Sequence, residues 1–215
     1  MRETDRVEAF SDGVMAVIIT LMAFNVKPPS GMSWTALRGD LPELLVYVLS
    51  FAIVGTYWNN HHHLFRATDR ISAGVMWSNL HLLFWLSLLP IATGWVGRFP
   101  GAPVPSACYG LLGLATAVAY WILVRAIIRA NGKDSRVARA IRSDAKGRIS
   151  LVLYAAGTGL AFAAPVASYV AYAAVAVMWF VPDRRLAPEA PDGASRERAK
   201  SHARRHYGQT GAPPY

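Results

Sequence analysis

Few side chains in this sequence could do chemistry, and most stand where a polar group is costly. Glu8, Ser11, Asp12, Thr20 and Asn25 lie in or beside the first apolar run, Asn79 and His81 lie inside the third, and Asn59-Asn60-His61-His62-His63 close the second. Strongly polar groups inside apolar segments are functional candidates by default. The histidine triplet invites a metal reading. Adjacent residues on a helix point about 100° apart, however, so His61, His62 and His63 cannot all face one ion. Membrane di-iron enzymes need several separated histidine boxes, and this chain has one triplet and His81. No metal site is expected, therefore; one or two of the imidazoles should hydrogen-bond in the bundle while another faces the cytoplasm. Ser11-Asp12 with a distant histidine imitates a hydrolytic pair, but no oxyanion element or nucleophile elbow accompanies it. Phosphate-loop and dinucleotide signatures are absent, and the single Cys108 excludes a disulfide framework.

The elements that must position these groups are apolar blocks. Of the 215 residues 53% are apolar and only 16% charged, and the apolar ones come in long runs. That pattern reads as an all-α polytopic membrane protein rather than an ordinary soluble domain. Six membrane segments are expected. The first begins as a polar helix entrance at Arg6 and becomes apolar from 13 to 26. Those 14 residues reach ~21 Å, short of the ~30 Å hydrocarbon core. Such a run spans only if its polar entrance is inside protein or if water reaches partway in, and both conditions put it at the centre of a bundle. Glu8, Ser11 and Asp12 stand where the positive region of a signal peptide would be.

The second segment covers about 41–58, with Pro42 and Glu43 in its first turn. The third covers 71–96, and the fourth 106–124, where Gly110 and Gly113 permit close helix contact. The block 149–181 is 33 residues long with Pro165 in its middle, so it is one long kinked helix or two short ones. Charge favours two. With six spans and both termini inside, 19 of the 22 Lys and Arg fall on one side, leaving only Lys27, Arg38 and Arg98 on the other. The same asymmetry explains the net charge of +9 without nucleic acid. The connection 125–148 is expected to continue the fourth helix and to meet anionic lipid heads. Residues 1–185 are read as one transmembrane domain and 186–215 as a basic, disordered cytoplasmic tail.

Separating the faces of the first helix sharpens the picture. Val17, Thr20, Leu21 and Phe24 share one stripe. Ser11 and Asp12 point some 120–140° away from Val17 at about 100° per residue. They should meet neighbouring helices, where Asn79, His81 or the histidine cluster could satisfy them; an unpartnered carboxylate there would be costly. The stripe itself reads equally as core- or lipid-facing.

The segment Arg6-x-x-x-Phe10-Ser11-Asp12 resembles the R-x-x-x-F-S-D signature of the transmembrane protein 175 family, the endolysosomal potassium channels and their bacterial relatives. The resemblance continues through Gly13–Leu21, Tyr57-Trp58…His62, Asn79-Leu80…Leu88-Leu89-Pro90 and Val181-Pro182-Asp183. It implies a homotetramer in the bacterial cell membrane, with one six-helix repeat per chain. The first helices would surround a pore permeable to K⁺ and other monovalent cations, with no cofactor. Val17 would form the narrowest ring, Thr20 a hydroxyl layer, and Leu21 and Phe24 the outer part. Arg6, Phe10, Ser11, Asp12, His62, Asn79 and His81 would form the signature network at the inner end. Apolar rings gate by dewetting and a Thr hydroxyl partly replaces ion hydration, so weak K⁺-over-Na⁺ discrimination is expected. Two other classes stand beside this one: a membrane metalloenzyme using His61–His63 and His81, and a small-solute or proton carrier.

Overall fold

In a computed structural model the chain is described over residues 3–29, 31–140 and 145–180. Among these residues every regular element is a helix: α1 (Glu3–Asn25), α2 (Trp34–Arg66), α3 (Ala73–Ser87), α4 (Leu89–Arg98), α5 (Pro103–Asn131), α6 (Arg136–Ala140), α7 (Ala145–Leu160) and α8 (Pro165–Phe180). α1, α2, the α3–α4 unit and α5 are each long and apolar enough to cross a membrane. The tail 186–215 and the Val181-Pro182-Asp183 exit lie outside the described residues.

Three boundaries differ from the sequence expectation. α2 starts at Trp34, where the Ser33 side chain accepts from the Ala36 N–H at 3.2 Å, so Pro42 is inside the helix rather than in its first turn. The third segment is two helices. Pro90 has no N–H to offer the Leu86 carbonyl, and the chain breaks at Leu88, restarting with the Ile91 and Ala92 N–H groups on the Leu88 carbonyl, each at 3.2 Å. The expected continuation of α5 beyond 124 is present but ends at Asn131, before Gly132, whose φ of +92° suits a residue without Cβ. The apolar block after Arg148 does form two helices: the chain turns over 161–164 and Pro165 opens α8, where its missing N–H costs nothing.

Two sub-bundles share α5. On one side α1 packs against α2, α3 and α4; on the other α5, α7 and α8 pack together. Glycines set the second contact. A Cβ on Gly113 would collide with the Tyr154 ring, and one on Gly110 with the Tyr172 hydroxyl. The anticipated close approach is therefore of glycine backbone to tyrosine rings. Those rings, Tyr109, Tyr154 and Tyr172, are fully buried, with Tyr154 and Tyr172 stacked 5.9 Å apart. A polar ladder joins the sub-bundles: Thr93 of α4 donates to Ser50 of α2 at 2.8 Å, and Ser50 pairs with the Tyr109 hydroxyl of α5 at 2.8 Å.

Asn131 fixes one end. Its side-chain oxygen accepts from the Asp69 and Arg70 N–H groups at 3.1 and 2.8 Å, so the 66–70 connection and the end of α5 lie together. At the opposite end the Tyr169 hydroxyl donates to the Pro100 carbonyl at 3.1 Å, bringing the start of α8 to the α4–α5 connection.

Gly113→Val should cost ~1–3 kcal/mol by overpacking against Tyr154 and lower the thermal midpoint in detergent. Gly159→Ala, with nothing within 4 Å of the added carbon, should leave it unchanged or slightly higher.

Candidate functional site

α1 has two unlike faces. Thr4, Ser11, Met15, Ile18 and Met22 recur at helical spacing and are buried. Opposite them Arg6, Phe10, Gly13, Val17, Thr20, Leu21 and Phe24 form a continuous exposed stripe. Val17 is 56% exposed, Leu21 50% and Phe24 81%. Nothing among the described residues covers this stripe, and they do not place α1 at the centre of its own protomer's bundle. An apolar surface of this kind can face lipid or a second copy, which is why the fold tolerates it.

The buried face is tied down by side chains. Ser11 donates to the Val7 carbonyl at 2.8 Å and accepts from the Asn79 amide nitrogen at 2.9 Å. The Asn79 oxygen in turn accepts from His61 Nε2 at 2.8 Å. Both ends of one amide are thus used to join α1, α3 and α2, and Ser11, Asn79 and His61 are all buried. His61 stacks on Phe65 one turn along α2, 4.4 Å between ring centres.

A second contact lies beside the first, nearer the surface. His62 Nδ1 is 2.6 Å from Glu8 Oε1, a close but off-axis pairing, since Nδ1 has no well-aligned hydrogen-bond partner. Glu8 and Asp12 are one turn apart on α1, and their oxygens and a His62 nitrogen all lie within 4.8 Å of one another. These are the residues that could hold a divalent ion.

Ser11, Asp12, His62 and Asn79 therefore converge at this end of α1. Arg6 and Phe10 belong to the exposed stripe instead. His81 is exposed and accepts from Trp85 Nε1 at 2.9 Å, on a different face of α3 from Asn79. Sequence reasoning did not choose His61 from the triplet. The available signal was spacing: His61 is in phase with Leu64, Phe65 and the buried positions of α2, whereas His62 and His63 are only half-buried.

At its other end α1 is held to the proline break. The Asn25 amide donates to the Pro90 carbonyl at 3.2 Å, and Thr93 of α4 reaches the Met22 sulfur at 3.8 Å. Between these anchors Thr20 keeps its hydroxyl on the Ala16 carbonyl at 2.9 Å, within the exposed stripe.

Fold and site together define an all-helical membrane protein whose first helix is anchored on one face and bare on the other. A model of the endosomal/lysosomal potassium channel TMEM175 family matches residues 6–90. A potassium channel of Chryseobacterium sp. (strain P1-3) is 47% identical over 181 residues, covering 84% of this chain and 94% of that protein. A potassium channel of Streptomyces collinus (strain DSM 40733 / Tue 365) is 36% identical over 137 residues, covering 58% and 66%. The crystal structure of a lysosomal potassium-selective channel TMEM175 homolog from Chamaesiphon minutus superposes with a TM-score of 0.73 at 27% identity, covering 85% of this chain and 99% of that one. The chain belongs to the TMEM175 family, a family of ion channels rather than enzymes.

Asn79→Leu should strand His61 Nε2 and remove the Ser11 link, costing ~1–3 kcal/mol in thermal unfolding. His81→Ala, on an exposed face, should stay within ~0.5 kcal/mol of the parent.

Proposed function

We propose that the chain is a potassium-permeable cation channel, in which four copies set their α1 helices around a common axis with Val17, Thr20, Leu21 and Phe24 facing it. One observation carries this reading: the bare stripe on α1, braced from behind by Ser11, Asn79 and His61. α1 is also the most exposed of the long helices. Only 22% of its apolar window is buried, against 44% for the α3–α4 unit and 39% for α5. A helix so little covered by its own chain and yet held at both ends suits an assembly axis. One helix cannot enclose a pore, so symmetry must repeat it.

Val17 forms the narrowest ring in this arrangement and Thr20 a hydroxyl layer above it. Apolar rings admit or exclude water cooperatively, and few strong oxygen ligands line the path, so discrimination of K⁺ from Na⁺ is weak. No cofactor is needed, only the permeant ion. Ser11, Asp12 and His62 act as braces that set the angle of α1, not as ion ligands. The chain crosses the cell membrane six times with both termini in the cytoplasm, counting α3–α4 as one crossing. α7 and α8, 16 residues each, reach ~24 Å and are accommodated by local bilayer thinning. The shared position of the 66–70 connection and the end of α5 agrees with the clustering of basic residues on the cytoplasmic side. Residues 1–185 form the channel domain and 186–215 a basic tail.

Liposomes containing purified tetramer should show K⁺ flux, and Na⁺ flux at a lower rate; absence of flux from folded tetramer would overturn the proposal. Val17→Ala and Val17→Asn should raise ion leak several-fold and reduce K⁺ preference, and Val17→Trp should block. If all three leave flux unchanged, Val17 is not in the pore.

A further inference from the structure

A cavity of about 100 Å³ lies between α2, α5, α7 and α8, away from the face of α1 and from the Ser11–Asn79–His61 chain. On this scale a water needs ~10–15 Å³, so the space takes a small organic group or part of an alkyl chain. Its walls are aromatic. Tyr57 meets Tyr120 edge-on at 5.8 Å, Tyr120 meets Trp179 edge-on at 6.1 Å, and Tyr154 and Trp121 complete the lining. Two donors on the α2 wall are already used: Thr56 donates to the Ile53 carbonyl at 2.8 Å and Asn60 to the Thr56 carbonyl at 2.7 Å. The rings, with Ile53, Val124, Leu151 and Val175 between them, favour an apolar occupant.

The mouth has the opposite character. It opens beside the first turn of α7, where Lys146 and Arg148 line it. Lys146 Nζ sits 5.8 Å above the Trp179 ring, whose indole nitrogen is fixed by a 2.7 Å bond to Ser150. Arg125 lies 5.1 Å above the neighbouring Trp121. Lys146 and Arg125 thus ride on aromatic rings beside an apolar hole, Arg148 stands with Lys146 in its lining, and no acidic side chain is among the described lining residues. In a membrane protein, Trp and basic residues together mark headgroup level.

We infer that this cavity binds an anionic membrane lipid, its headgroup at Lys146 and Arg148 and the start of an acyl chain between Tyr57, Tyr120 and Tyr154. Charge selects the headgroup: cations at the mouth favour a phosphate ester without a compensating ammonium, and the aromatic walls favour a hydrocarbon over a second polar group. The site joins α2, which carries His61, to the α7–α8 pair, so occupancy stiffens the support behind α1. The inference does not rest on ion conduction.

The test uses the full-length protein in phosphatidylcholine nanodiscs doped with dibrominated phosphatidylglycerol or dibrominated phosphatidylcholine, read by tryptophan quenching. Phosphatidylglycerol should quench more strongly, and Trp179→Phe should remove most of that difference. Lys146→Gln with Arg148→Gln should weaken phosphatidylglycerol at least about tenfold while leaving phosphatidylcholine unchanged. Ala117→Trp, which fills the cavity from α5, should abolish the preference in protein that still elutes as the parent assembly. Equal quenching by both lipids, unaffected by these variants, would overturn the site. So would competition by millimolar inorganic phosphate alone, which would make it an anion site, or a preference that emerges only when residues 186–215 are deleted, which would make the tail its occupant.

Discussion

In a medium without water to compete, a buried amide must have both of its ends satisfied, and Asn79 uses that requirement to hold three helices in register. Its nitrogen is on Ser11 of α1 and its oxygen on His61 of α2. Each group would be costly alone in a membrane interior. Joined, they specify one relative rotation of α1, because turning the helix by one residue would carry Ser11 about 100° away from its partner. That rotation decides which side chains are left bare. The outward placement of Val17, Thr20, Leu21 and Phe24 is therefore a consequence of the polar contact behind them.

The rest of the protomer keeps that contact in position. Pro90 breaks the third apolar segment, and its own carbonyl accepts from the Asn25 amide, so α1 is tied near its far end as well. The Thr93–Ser50–Tyr109 ladder links α4 and α2 to α5. Glycines in α5 then let the tyrosines of α7 and α8 sit directly on its backbone. Small residues and shared hydroxyls do here what the hydrophobic effect does in water, since lipid tails offer no penalty for apolar exposure. The numerous exposed large apolar residues on α2 and α8 are unremarkable for the same reason.

Much of this was legible in the chain as written. The all-helical class, the polar entrance to the first segment and the division at Pro165 follow from hydropathy and proline, which act locally. The separation of Ser11 from the Val17 stripe follows from helical geometry alone. The motif around Arg6, Phe10, Ser11 and Asp12 pointed to the family that the comparisons establish.

Other features needed the packed structure. Three adjacent histidines look alike in a sequence, and only the rotation of α2 buries His61 on Asn79, turns His62 toward Glu8 and leaves His63 aside. His81, two residues from Asn79, projects from another face of α3 and bonds its own helix neighbour Trp85. Pro42 suits a first turn by residue type, yet the cap at Ser33 starts the helix earlier and leaves it in the interior. The aromatic cavity draws residues from four helices distant in sequence, so no local pattern announces it. The sequence determined which segments are apolar and which faces each can present, because those depend on residue type and helical period. The tertiary structure decided which of those faces meet, because that depends on contacts between helices that no single segment contains.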